Sequence, residues 1–159
     1  MDEADLLFQL DGDADVMKYI TLGIPRTMDE VIEKSMPRIL KSYQDKTDFG
    51  IFAAYLINSE KYIGWFQFEK DKEFEDSIEI GWRLKKQYWG NGYATEVATV
   101  LCELGIKMGK TIVARAMIEN IASIRVMEKT GLKFEKEFWG DHDPHSGSPD
   151  VLYKRSLIT

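Results

Sequence analysis

A carboxylate with open space beside it can take a proton from a bound substrate, and the sequence gives Glu79 that setting. Glu79 lies in "SIEIGWRL", where apolar and polar residues alternate as in a half-buried strand. Ile78, Ile80, Trp82 and Leu84 share one face; Ser77, Glu79, Gly81 and Arg83 share the other. Gly81 brings no side chain, so it leaves room for a substrate next to Glu79. One water can relay the proton, so the carboxylate need not touch the acceptor. The competing reading is a solvated carboxylate, or one salt-bridged to Arg83.

A second feature follows the strand. In "YWGNGYATEV" a Gly-Asn-Gly turn stands before a helical pattern. A helix start gathers unpaired N–H groups and the positive end of the helix dipole. Glycine lets the backbone wrap closely around an anion there. Residues 90–95 therefore suit a phosphate group, and the neighbouring Lys85 and Lys86 favour an anion. The competing reading is a tight loop that needs positive φ. Two familiar phosphate loops are excluded. A P-loop would follow Gly92 with Lys and Ser or Thr, where Tyr93 and Ala94 stand. A dinucleotide fingerprint would place Gly or Ala at Thr95. The alternating strand also argues against a doubly wound core.

The elements that hold these groups can be read along the chain. "DADVMKYI" predicts a helix after an Asp-rich cap. Thr27 with Glu30 three residues later predicts a capping box. The helix that follows would bury Val31, Ile32, Ile39 and Leu40 and would kink at Pro37. "FGIFAAYLI" and "KYIGWFQFE" predict a hairpin turning at "NSE". Trp65, Phe66, Phe68, Phe138 and Trp139 are expected in the core. A helix is predicted over residues 90–108, burying Tyr93, Val97, Val100, Leu101, Leu104 and Met108. "TIVARAMI" predicts a strand. "NIASIRVMEKTG" predicts a helix with Asn120 near its start and Gly131 at its end. "LKFEKEFWG" and "DVLYKRSLI" predict two last strands. The order is that of a mixed α/β sheet in one domain over residues 1–159.

Composition narrows the functions. Lys plus Arg number 21 against 27 Asp plus Glu, a formal charge of −6. That sign opposes nucleic-acid backbones and favours cationic partners. No apolar run approaches the ~20 residues of a membrane span. The acidic start argues against a signal peptide. Cys102 is the only cysteine, so no intrachain disulfide can form, which suits a reducing, cytoplasmic setting. Cys102 falls in a helical pattern and reads as core. His142 and His145, with Asp141, Asp143 and Asp150, read as a hairpin loop; no metal site is expected.

The turn resembles the acetyl-CoA pyrophosphate loop of the GNAT N-acetyltransferases, on Trp89, Gly90, Asn91, Gly92, Tyr93, Ala94 and Thr95. Trp89 replaces the family's usual basic or amide residue. Trp-Gly-x-Gly is similar to the branch that includes the ribosomal-protein N-terminal acetyltransferases. "LFQLDGDADVMKYI" resembles the same branch, and "NIASIRVMEKTGLKFEKE" is similar to the family's second cofactor motif. Chains of this kind usually open with a strand, whereas a helix-like "EADLLFQL" stands first here. The resemblance implies a GNAT-like, mostly antiparallel sheet flanked by helices, lacking that first strand. It implies acetyl-CoA as co-substrate and direct attack of a primary amine on the thioester. The amine could be a protein N-terminus, a polyamine or an amino-sugar. It implies that a backbone N–H near Trp82 or Leu84 polarises the thioester carbonyl. A glutamate at position 79 resembles the base of some members. Asn120 would contact pantetheine, or serve only as a cap. Ser123 would lie near the leaving sulfur. Met127 stands where many members place a tyrosine acid, which leaves proton donation to Ser123 or a water on it. That methionine keeps a second function open, a non-catalytic acyl-CoA-binding module. Neither nucleic acid nor membrane is expected as a partner; a homodimer stays open.

Overall fold

The computed structural model describes residues 3–43, 48–140 and 147–156. Two compact units form, one from Met1–Glu69 with Trp82–Asn91, the other from Lys70–Gly81 with Gly92–Thr159. The expected order of helices, three strands, helix, strand, helix and two strands is found.

In the first unit the first described element is helix α1, Glu3–Asp11. Glu3 and Asp5 in its first turn complement the helix dipole. Leu7, Leu10 and Asp11 are buried. The helix predicted over residues 13–20 is replaced by successive turns. The Met17 carbonyl collects the N–H groups of Ile20, Thr21 and Gly23 at 3.0, 3.0 and 3.1 Å. Leu22 and Gly23 then take positive φ, which no helix continues through.

The Thr27–Glu30 capping box forms as predicted. It opens α2, Met28–Glu30, which runs through a π turn at Val31–Ser35 into α3, Met36–Ser42. The kink expected at Pro37 takes the form of that wide turn. Proline has no N–H to reach back with, and the Met36 N–H bonds the Val31 carbonyl five residues earlier. Val31 and Ser35 face inward, whereas the predicted Ile32 and Leu40 are exposed.

Strands β1 (Gly50–Tyr55) and β2 (Tyr62–Lys70) make the predicted antiparallel hairpin. β3 is Ser77–Leu84, β4 Thr111–Met117, β5 Lys133–Phe138 and β6 Asp150–Arg155. They form one sheet in the order β1-β2-β3-β4-β6-β5. β3 pairs with β4 in parallel; β6 pairs antiparallel with both β4 and β5. Gly64 lets β2 approach β3 closely, because a Cβ there would collide with the Arg83 carbonyl.

In the second unit α4 is Tyr93–Lys107, so the turn at residues 90–92 stands outside the helix predicted to include it. Its buried face also differs from the predicted one. Ala98, Cys102 and Gly105 are buried, while Val100, Leu104 and Met108 are exposed. At Gly105 a Cβ would collide with the Ile112 side chain on β4, so the small residues set how closely the helix packs. Cys102 has no exposed surface, and burial pushes its thiol pKa up. Helix α5, Ile121–Lys129, has Asn120 as its N-cap, and Gly131 takes φ +83 just past its end. Phe66 and Phe68 are core residues as predicted, whereas Trp139 is exposed.

Candidate active site

Glu79 lies on β3 within the parallel pairing, opposite Val113 of β4. Arg115 is two residues beyond Val113 on the same strand face, and its Nη1 donates to Glu79 Oε1 at 3.1 Å. The competing reading offered a salt bridge to Arg83; the salt bridge is made by Arg115, and Arg83 Nη1 donates to Asp11. The Arg115 guanidinium serves three carboxylates. Nη1 also reaches Asp71 Oδ2 at 2.5 Å, and Nη2 reaches Glu73 Oε2 at 3.2 Å. Lys136 Nζ donates to the other oxygen of Glu73 at 2.9 Å. Both cations lie over the Phe74 ring, 5.9 and 5.4 Å from its centroid. Burial alone would push the Asp71 carboxyl up. Hydrogen bonds from Arg115 and from the Phe74 and Glu73 N–H groups outweigh it and hold that carboxyl below the usual range.

The β3–β4 register runs from Ser77↔Thr111 to Glu79↔Val113 and includes neither Ile80 nor Gly81. At the far end of β3 the Lys85 N–H bonds the Ile63 carbonyl of β2 at 2.9 Å. Strand alternation then puts the Arg83 N–H on the β2 side and the Trp82 and Leu84 N–H groups on the opposite edge. The Leu84 carbonyl on that edge accepts the Trp89 indole N–H at 2.8 Å.

Gly90 and Gly92 have φ of +76° and +84°, and a Cβ on either would meet nothing within 4 Å. The turn therefore needs glycine for its backbone, and open space surrounds both residues. The first main-chain bond of α4 runs from the Glu96 N–H to the Gly92 carbonyl at 2.9 Å. No side chain caps this end, so the N–H groups of Ala94 and Thr95 have no partner among the described residues. The Asn91 side chain is turned back to the Trp89 carbonyl at 3.1 Å. Lys86 is taken by Asp15 at 2.6 Å, and Lys85 lies over the Tyr62 ring.

On α5, Asn120 Oδ1 accepts the Ser123 N–H at 3.2 Å, which is the capping role. The Ser123 hydroxyl makes no hydrogen bond among the described residues and is half-buried. Met127 is 1% exposed, so its side chain belongs to the core. His142, His145, Asp141 and Asp143 lie outside the described residues, and the described ones hold no metal-ligating cluster. Sequence reasoning missed Arg115 and Asp71. Only the register of β4 against β3 brings Arg115 to Glu79.

A model of the acetyltransferase (GNAT) domain matches residues 1–133. The chain belongs to the GNAT acetyltransferase family. Acetyl-CoA is therefore its co-substrate, and the glycine turn with its uncapped helix start fits a pyrophosphate. The acetyltransferase is 32% identical to the uncharacterized N-acetyltransferase YnaD of Bacillus subtilis, over 83% of this chain and 74% of that protein. It is 28% identical to the FsC-acetyl coenzyme A-N(2)-transacetylase of Aspergillus fumigatus, over 87% of this chain but 62% of that protein's length. A GNAT-family acetyltransferase structure from Bacillus anthracis superposes with a TM-score of 0.76 at 27% identity. That match covers 97% of this chain and 89% of the other. No described helix of the acetyltransferase is long and apolar enough to cross a membrane.

Proposed function

We propose that this acetyltransferase, acting as one GNAT domain over residues 1–159 in the cytoplasm, acetylates a primary amine. The acceptor is a protein N-terminus, a polyamine or an amino-sugar. The Trp-Gly-x-Gly turn favours the first, by its similarity to the ribosomal-protein branch. The observation that carries the reading is the uncapped, glycine-opened start of α4, the next α-helix along the chain after the strand that bears Glu79.

Bound acetyl-CoA supplies a thioester ready for attack. The N–H groups of residues 90–95 hold its pyrophosphate, with Trp89 beside them. The Trp82 and Leu84 N–H groups meet pantetheine and polarise the thioester carbonyl. The Asn120 amide adds a pantetheine contact while capping α5. Glu79 takes the amine proton, directly or through one water. The Ser123 hydroxyl donates toward the leaving sulfur. Attack is direct, as the family resemblance implies, and the burial of Cys102, the one thiol of the chain, fits that.

Free CoA release with peptides beginning in Ala or Ser, spermidine and an aminoglycoside tests the acceptor class. One class should turn over well above hydrolysis of acetyl-CoA alone. Tight acetyl-CoA binding with no transfer to any amine would favour the binding-module reading.

Gly92→Val should weaken acetyl-CoA binding about tenfold or more, as seen by calorimetry. The added side chain fills the space where the anion approaches, and φ +84° is costly for it. Gly109→Val is the control, because Gly109 has φ +76° and equally open surroundings. It should cost stability and leave affinity unchanged. Equal affinity in both variants would remove the turn from the site.

A further inference from the structure

Asp71 is the most firmly held member of the cluster around Arg115. Its side chain is 1% exposed. Its Oδ1 accepts the N–H groups of Glu73 and Phe74 at 2.9 and 2.7 Å. Its own N–H bonds the Ser77 carbonyl at 2.9 Å, which ties the β2–β3 loop to the start of β3. Arg115 Nη1 is shared between Asp71 at 2.5 Å and Glu79 at 3.1 Å. The short arm fixes the guanidinium to the loop; the long arm reaches the carboxylate on β3.

We propose that Arg115 is a positioning residue that holds the Glu79 carboxylate in place for proton transfer, with Asp71 as its anchor. The idea rests on Glu79 being the base. Asp71, Glu73 and Glu79 are three carboxylates around two cations, Arg115 and Lys136. Without Arg115, Lys136 would remain among the described cations of this cluster, and it is paired to Glu73. Repulsion among the carboxylates would then turn Glu79 away from its position. Among these described groups one carboxylate is in excess over the cations, the sign that a cationic amine meets favourably.

A double-mutant cycle separates positioning from structural support. Arg115→Met is measured alone and with Glu79→Gln, using whichever of spermidine, the Ala or Ser peptides and the aminoglycoside reacts fastest. Arg115→Met alone should lower kcat about 10–100-fold, the scale of a misplaced reacting group. Calorimetry should find acetyl-CoA affinity unchanged, and Arg115→Lys should recover part of the loss. In the Glu79→Gln background Arg115→Met should cost less than about twofold, because the group it positions is already disabled. An equal loss in both backgrounds overturns the positioning role while leaving Glu79 as base. A fully active Glu79→Gln enzyme removes the base reading itself, and the positioning role with it. If Arg115→Met fails to fold, Asp71→Asn replaces it. Asparagine keeps the acceptor for the Glu73 and Phe74 N–H groups but not the charge that anchors Arg115. Its loss in kcat should likewise vanish in the Glu79→Gln background, and a loss that persists there counts against the proposal.

Discussion

Glu79→Gln is expected to lower kcat by roughly 10²–10⁴-fold while acetyl-CoA binds as before. The amide keeps the size of the side chain and can still accept from Arg115, so β3 should not move. It cannot take up the amine proton. The loss should therefore appear in turnover and not in co-substrate affinity. Ser123→Ala should cost less. The Ser123 hydroxyl is a weak acid, and the CoA thiol, with an intrinsic pKa near ~8.5, leaves partly as thiolate without help. Steady-state kinetics on both variants, with calorimetry of acetyl-CoA, checks the order. A Ser123→Ala enzyme more damaged than Glu79→Gln would make proton donation to sulfur the critical step. Placing Tyr at 127 should not restore a family-style acid, because Met127 fills a packed core position and a larger ring would strain it.

Asp11→Ala is expected to destabilise the protein by about 3–5 kcal/mol, the cost of leaving a buried partner charge alone. Asp11 is 1% exposed and sits among Arg83, Arg26 at 3.1 Å and Ser35 at 2.5 Å. Burial pulls the Arg83 guanidinium pKa down, and the Asp11 charge opposes that pull. Trp65 covers Arg83 at 5.0 Å, and the Arg83 Nε is buried with no hydrogen-bond partner among the described residues. Arg83 therefore depends on Asp11 for most of its compensation. Without Asp11, two guanidinium groups would face each other in the interior. Urea unfolding measures the loss. A change below about 1 kcal/mol would mean that water reaches the cluster and that Arg83 is solvated. Arg83 lies between Trp82 and Leu84, so acetyl-CoA affinity is expected to fall along with stability.

Much of this was legible in the sequence, and the reasons differ by element. Alternation alone located β3 at Ser77–Leu84, because one buried face leaves a period of two that a helix cannot imitate. The Thr27 capping box was visible because both of its hydrogen bonds are local. The turn at residues 90–92 was visible because positive φ selects glycine. Where the reading failed, tertiary packing decided. Counting apolar residues favoured Val100, Leu104 and Met108 as the inner face of α4. The sheet instead takes Ala98, Cys102 and Gly105, since small residues allow the closer approach. The helix expected over residues 13–20 is replaced by successive turns, whose bonds to the Met17 carbonyl left little trace in composition. At the site, Glu79 and its strand face could be read, but its partner could not. Arg83 was near in sequence, whereas Arg115 is brought in by a parallel pairing 34 residues away, at Glu79↔Val113.

The sealing of Cys102 has a practical consequence at the bench. Thiol reagents attack thiolates that they can reach, and this thiol is both out of reach and pushed toward its protonated form. A colorimetric thiol dye added to the folded enzyme should stay silent until a CoA–SH group is liberated. The enzyme then contributes no background to its own assay. In urea the same dye should register the single cysteine as the core opens, so one reagent can follow turnover and, in a separate tube, global unfolding.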